Sequence, residues 1–145
     1  MSQSNDQYGT SQFVSTIPHA FNLYASTEDA KADPPINPMF TIPAAPKESI
    51  ARLVEQPGTP IPVHQSFVNY PHGFPPVFGS VAGLPDDVTD KVVIVSMLVG
   101  DYYVKNPAAA KATGALHIVG PDSGKGAVRD AKGAIVGTTK FVVYA

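Results

Sequence analysis

The stretch that most restricts this chain is residues 91–104, KVVIVSMLVGDYYV. From Val92 to Val99 every residue but Ser96 is apolar, and the valines and Ile94 are branched at Cβ, which suits a pleated, packed surface better than a helix. A helix is the competing reading of any apolar run. This one is about strand length, is followed by Gly100-Asp101, and is too short for a membrane span of roughly 20 residues. The expectation is one strand, buried on both faces over its first half. At a period of two, Val92, Ile94, Leu98, Tyr102 and Val104 share an inner face. Val93, Val95, Met97 and Val99 share the other, which turns polar at Asp101 and Lys105 and so needs a cover over its first half only.

Prolines set the character of what precedes that strand. Thirteen of the 15 lie between Pro18 and Pro85, where missing N–H groups interrupt sheet ladders, so long strands are not expected there. One short helix fits, over about residues 46–56, with Pro46 in its first turn, Glu48 near its positive end, and Ile50, Leu53 and Val54 on one face. Residues 26–32 have a cap-like start for a single helical turn. Three PxxP spacings begin at Pro35, Pro43 and Pro57; without flanking arginines they read as rigid extended connectors. Residues 1–12 are a polar tail, and residues 67–83 an aromatic, turn-rich loop.

The C-terminal end carries the clearest hairpin. GAVRD and AIVG flank a turn at Asp130-Ala131-Lys132-Gly133, with Asp first and Gly where a left-handed residue is needed. Val128 and Ile135 are expected to face inward, and the last strand to run on to Ala145 with Phe141 and Val143 on the core side. The fold expected is therefore mainly β. Residues 86–145 would form a single antiparallel β-sandwich or small β-barrel, and residues 1–85 a long proline-rich extended arm with connectors, the whole being one domain.

Composition narrows the function. Only 15% of residues are charged, against a usual share of about 25%, so the surface is low in charge and suited to contact with other proteins. A net charge of −2 with scattered Lys and Arg offers no basic stripe for nucleic acid and no basic amphipathic helix for a membrane. Without cysteine there is no disulfide or thiolate chemistry. The N-terminus lacks the pattern of a secretion signal, so the expectation is cytoplasmic synthesis, with the protein either kept in the cytosol or released on a virion or other protein particle.

Motifs for chemistry are sparse. GPDSGKG at residues 120–126 resembles a phosphate-binding loop, but Val119 stands at the first glycine position, Gly126 replaces the hydroxyl residue, and a strand rather than a helix follows. His19, His64, His72 and His117 have no zinc spacing, and Asp86, Asp87 and Asp90 lack the spacing of a calcium loop, so neither metal nor cofactor is expected. An acid–base site would have to use Asp101, Tyr102, Tyr103 and His117; a solvated rim explains them as well.

Apolar sheet faces in need of cover, low charge and a proline-stiffened half together suggest a non-enzymatic, oligomeric structural protein, such as a virion or capsid decoration protein. Its partners would be further copies of itself and a larger protein assembly. The interface would involve Phe13, Ile17, Phe21, Val93, Val95, Val142 and Tyr144. The rival expectation is a small barrel that binds or isomerises an apolar small molecule between Phe67, Tyr70, Phe74, Phe78 and Tyr102.

Overall fold

The computed structural model of the chain describes residues 12–25, 38–129, 132–133 and 135–145. The tail before residue 12, the helical turn at residues 26–32, the PxxP spacing at Pro35, and the turn residues Asp130 and Ala131 lie outside the described residues. In chain order the elements are β1 (Phe13–Ser15), β2 (Phe21–Leu23), β3 (Phe40–Ile42), β4 (Arg52–Gln56), β5 (Val77–Ala82), β6 (Val92–Ile94), α1 (Met97–Lys105), α2 (Pro107–Ala112), β7 (His117–Pro121), β8 (Ala127–Arg129), β9 (Ile135–Thr138) and β10 (Phe141–Val143). The protein is mainly β. Its sheets, however, are mixed rather than antiparallel, and they do not close into a barrel.

The first sheet has the order β1-β6-β7-β10, with β1, β6 and β7 parallel and β10 antiparallel to β7. The second has the order β3-β2-β9-β8, with β2 and β9 its parallel pair. Parallel neighbours need a crossover, and between β6 and β7 the crossover is α1 and α2. Here the single long strand expected over residues 92–104 is corrected. The strand stops at Ile94 and Ser96 caps a helix: its hydroxyl accepts from the Val99 amide at 3.4 Å, and its carbonyl accepts from Gly100 N at 2.8 Å. Val99 and Tyr103, one helical turn apart, are buried, whereas Leu98 is 57% exposed and so does not belong to an inner face.

The first half of the run is buried on both faces, as expected, because the first sheet is a middle layer. Val93 and Val95 pack with Val99, Tyr103, Ala110 and Ile118 on the helix side. Val92, Ile94 and Val119 pack with Ile17, Phe21 and Ile42 on the side of the second sheet. Successive residues of β6 thus feed two different cores. Tyr144 fastens the helical layer, its ring lying over Gly100 of α1 and Gly120 of β7, where a Cβ at Gly100 would collide with it. Buried Thr16 ties the segment after β1 to β6, its hydroxyl donating to Ile94 O at 2.6 Å. No helix among the described residues is long and apolar enough to cross a membrane.

Three further expectations change. Instead of a helix over residues 46–56, a single 3-10 turn at Lys47–Ser49 gives way to β4, which pairs antiparallel with β5. Pairing decides this: along β4, Leu53 turns toward the core and Val54 toward solvent, a strand alternation. β5 is the longest strand described, in a region where prolines argued against one; Pro75 and Pro76 end just before it and spare its ladder. The β8–β9 hairpin forms as expected, with Gly133 at φ 85° and Arg129 Nη1 donating to Gly133 O at 2.7 Å. Ile135 is nevertheless 39% exposed and Val143 is exposed, because the last strand is two. Thr138, buried, donates its hydroxyl to Lys140 O at 2.8 Å and turns the chain from the second sheet into the first.

Candidate functional site

The β4–β5 ribbon is extended by residues 57–76, which stand almost wholly in solvent. The neck of this arm closes where Gly58 lies against Phe74 and the Pro75 carbonyl, too tightly for any Cβ. At the tip the chain turns on Phe67 N donating to His64 O at 2.8 Å and Tyr70 N to Phe67 O at 2.9 Å, while Ser66 N donates to His64 Nδ1 at 3.0 Å. His72 Nδ1 donates to Tyr70 O at 2.6 Å. These bonds hold four rings in sequence. Tyr70 stacks on Phe67 at 5.4 Å, Phe67 meets His72 at 5.8 Å, and His72 meets Phe74 edge-on at 5.9 Å. The cluster is ordered yet open, Phe67 being 49% and Tyr70 61% exposed, and Ile61 and Val68 of the same arm are exposed too.

The arm's root rests on α1. A bulge opposite Val54 and Glu55 leaves Gly79 over, and Tyr102 Oη donates to its carbonyl at 3.1 Å. Between α1 and the ribbon runs a groove of about 260 Å³ with Val77, Phe78 and Leu98 as apolar walls and Asp101 and Lys105 at its rim. Of the five residues proposed for an apolar ligand, Phe78 and Tyr102 line this groove; Phe67, Tyr70 and Phe74 belong to the arm. The five therefore do not converge, and no barrel encloses them.

The acid–base candidates divide in the same way. Asp101 and Tyr102 face the groove, whereas Tyr103 and His117 line a separate cavity of about 300 Å³ beside α2, where His117 Nδ1 donates to Ala145 O at 3.1 Å. Burial, then the neighbouring Tyr102, holds the Tyr103 phenol above its ordinary value, and burial, then Asp101 and Asp122, does the same for Tyr144. Phenols shifted upward are poorer proton donors at neutral pH.

A crevice of about 190 Å³ opens at the carboxyl ends of β1, β6 and β7, where the chain leaves β1 toward β2 and β6 toward α1. His19, Ser96, Met97 and Ser123 line it, and it is smaller than the roughly 300–1,000 Å³ usual for ligand pockets. Beside it the phosphate-loop resemblance meets a physical obstacle. Asp122 Oδ1 accepts from Gly124 N at 2.8 Å and Oδ2 from Gly126 N at 2.9 Å, so the loop's amides already hold an anion, the chain's own carboxylate. Those two bonds, with Lys140 a weaker contribution, keep its pKa below the ordinary value. Among the described residues no three His, Asp or Glu side chains are placed to hold a metal.

The residues expected at a subunit interface all lie in the layered body. Val93 and Val95 are 0% exposed and are covered by the chain's own helices. Phe13 stacks on Phe141 at 5.5 Å and Phe21 meets the same ring at 6.2 Å; Ile17 is buried beside them. Val142 and Tyr144 are half-buried. The sequence carried a sharper pointer to the exposed site: from Gln56 to Pro85 there is no Asp, Glu, Lys or Arg. No protein-family model matches the chain, and no curated protein or solved structure is significantly similar to it.

Proposed function

We propose that this chain is a non-enzymatic assembly protein that engages protein neighbours through the 57–76 arm. A single observation carries the reading: an aromatic cluster fixed by its own hydrogen bonds, free of formal charge and left in solvent. Rings already held in place lose little freedom on docking, and they supply the anchors that dominate protein interfaces. A surface role on a virion or other protein particle is the form of assembly to which the reading extends. Mass measurement by light scattering over a concentration series tests it, on the intact chain and on a variant in which residues 59–74 are replaced by a short turn. The reading expects association, with itself or in a defined co-complex, that is lost in the variant while the melting temperature of the monomer holds. A chain whose association is unchanged by removal of the arm, or that associates with no protein, overturns it.

A further inference from the structure

We propose that the cavity between the end of α1, α2 and β7 is a binding site for a small, uncharged ring compound whose carbonyl oxygen accepts a hydrogen bond from the Tyr103 hydroxyl. The site goes beyond the assembly reading and does not depend on it, since no residue of the 57–76 arm lines the cavity.

The hydroxyl is the observation that points to a ligand. Tyr103 is 4% exposed, belongs to the core cluster of Val93, Val99 and Ile118, and meets the Tyr102 ring edge-on at 5.6 Å. A phenol so deeply buried ordinarily finds a hydrogen-bond partner in the protein. Among the described residues the Tyr103 hydroxyl has none, yet no side-chain oxygen shut off from solvent lacks a partner. The hydroxyl is therefore the part of this side chain that reaches open space. The open space beside it is the cavity, which Tyr103 lines. Burial holds its pKa above the ordinary value, so the phenol keeps its proton at neutral pH. It is a poor acid but an intact hydrogen-bond donor.

The rest of the lining sets the size and polarity of the ligand. The cavity holds about 300 Å³, at the lower end of the roughly 300–1,000 Å³ of ligand pockets. A dry cavity of about 150 Å³ admits benzene, so there is room here for about one or two rings. Ala110 and Ala115 leave this space by their small side chains, and Val104, Pro107 and Ile118 add apolar walls. Among the described lining residues the only formally charged side chain is Lys111, which is exposed and screened by water, so nothing selects an ion. His117 Nδ1 already donates to Ala145 O at 3.1 Å, and Tyr144, its ring over Gly100 and Gly120, is only half-buried. Tyr103 is thus the buried donor of the cavity, and an acceptor is what it lacks.

Acetophenone and ethylbenzene test this, the second having the same ring without the carbonyl. Each is titrated into the intact chain and into Tyr103→Phe, followed by amide NMR spectra and by melting temperature. Tyr103→Phe removes an oxygen bonded to no other residue, so without a probe its melting temperature should equal or exceed that of the wild type. Acetophenone should shift the amides of Ala110, Ala115 and Ile118 in the wild type and bind about fivefold more weakly to Tyr103→Phe. Ethylbenzene should bind both chains alike. A melting temperature lowered by Tyr103→Phe would mean that the hydroxyl is already paired. Acetophenone shifts confined to the groove at Val77 and Phe78, or none at all, would mean that the cavity is not a site, and equal acetophenone binding by both chains would mean that the hydroxyl recognises nothing. Each of these results overturns the proposal and leaves the assembly reading standing, because the arm is intact throughout.

Discussion

The middle sheet and the arm are both rich in apolar residues, and they use them in opposite ways. In β6 each apolar side chain is buried, alternately against the helices and against the second sheet. In residues 57–76 the rings of Phe67, Tyr70, His72 and Phe74 pack against one another, and Phe67, Tyr70, Ile61 and Val68 stay exposed to water. What separates the two is access to neighbours. A strand in the middle of a layered fold meets elements on both faces, whereas an arm closed at its neck by Gly58, Phe74 and Pro75 leaves nearly all of its residues exposed. Apolar content therefore does not by itself mark the core.

The largest expected effect lies in the middle sheet. Ile118→Ala should cost about 2–5 kcal/mol in urea unfolding, because a buried side chain between β7 and the helices leaves a cavity that packed layers cannot fill. A cost under about 1 kcal/mol would mean that the helical layer is not tightly seated. Next come two single-contact tests of the joints between layers. Gly100→Ala replaces a poor helix former, which alone would stabilise by about 1 kcal/mol. The new methyl meets the Tyr144 ring, and overpacking of about 1–3 kcal/mol should win, so net destabilisation is expected and a net gain would refute the tyrosine slot. Thr138→Val keeps the shape but leaves the corner carbonyls without their donor, for about 1–3 kcal/mol.

The Asp122 loop should respond to pH rather than to packing. Its pKa is lower folded than unfolded, so its stabilisation is complete above the ordinary carboxylate value of 3.8 and is lost as pH falls through the lower folded value. Denaturant unfolding between about pH 5 and pH 2 should therefore lose stability more steeply in the wild type than in Asp122→Asn. Parallel profiles would show that the loop amides do not depend on the charge.

The smallest effects belong to the exposed surface. Leu98→Ala and Phe67→Ala should each change monomer stability by less than about 0.5 kcal/mol, in contrast to Ile118→Ala. A loss of 2 kcal/mol or more at Leu98, about what a buried leucine costs, would restore the single inward-facing strand and remove α1 from the fold.

Several features were legible in the residues alone. Four consecutive branched side chains at Val92–Val95, with no polar position among them, can only be satisfied by cover on both faces, and both faces are covered. The β8–β9 hairpin followed from local turn chemistry, in which Gly133 adopts the left-handed conformation that other residues avoid. The want of charge from Gln56 to Pro85 was equally present in the sequence and bears directly on the arm.

Tertiary structure decided the rest, because the deciding partners are distant in the chain. Ser96 reads equally as a gap in an apolar strand face and as a helix cap. Only the parallel pairing of β6 with β7, which requires a crossover, makes it a cap and turns Leu98 outward. Residues 52–56 suit a helix by spacing, and become a strand because residues 77–82 return beside them. Local rules act over three or four residues and specify turns, caps and faces. Which face meets a neighbour and which meets water depends on loop closures of tens of residues, and those the local pattern does not encode.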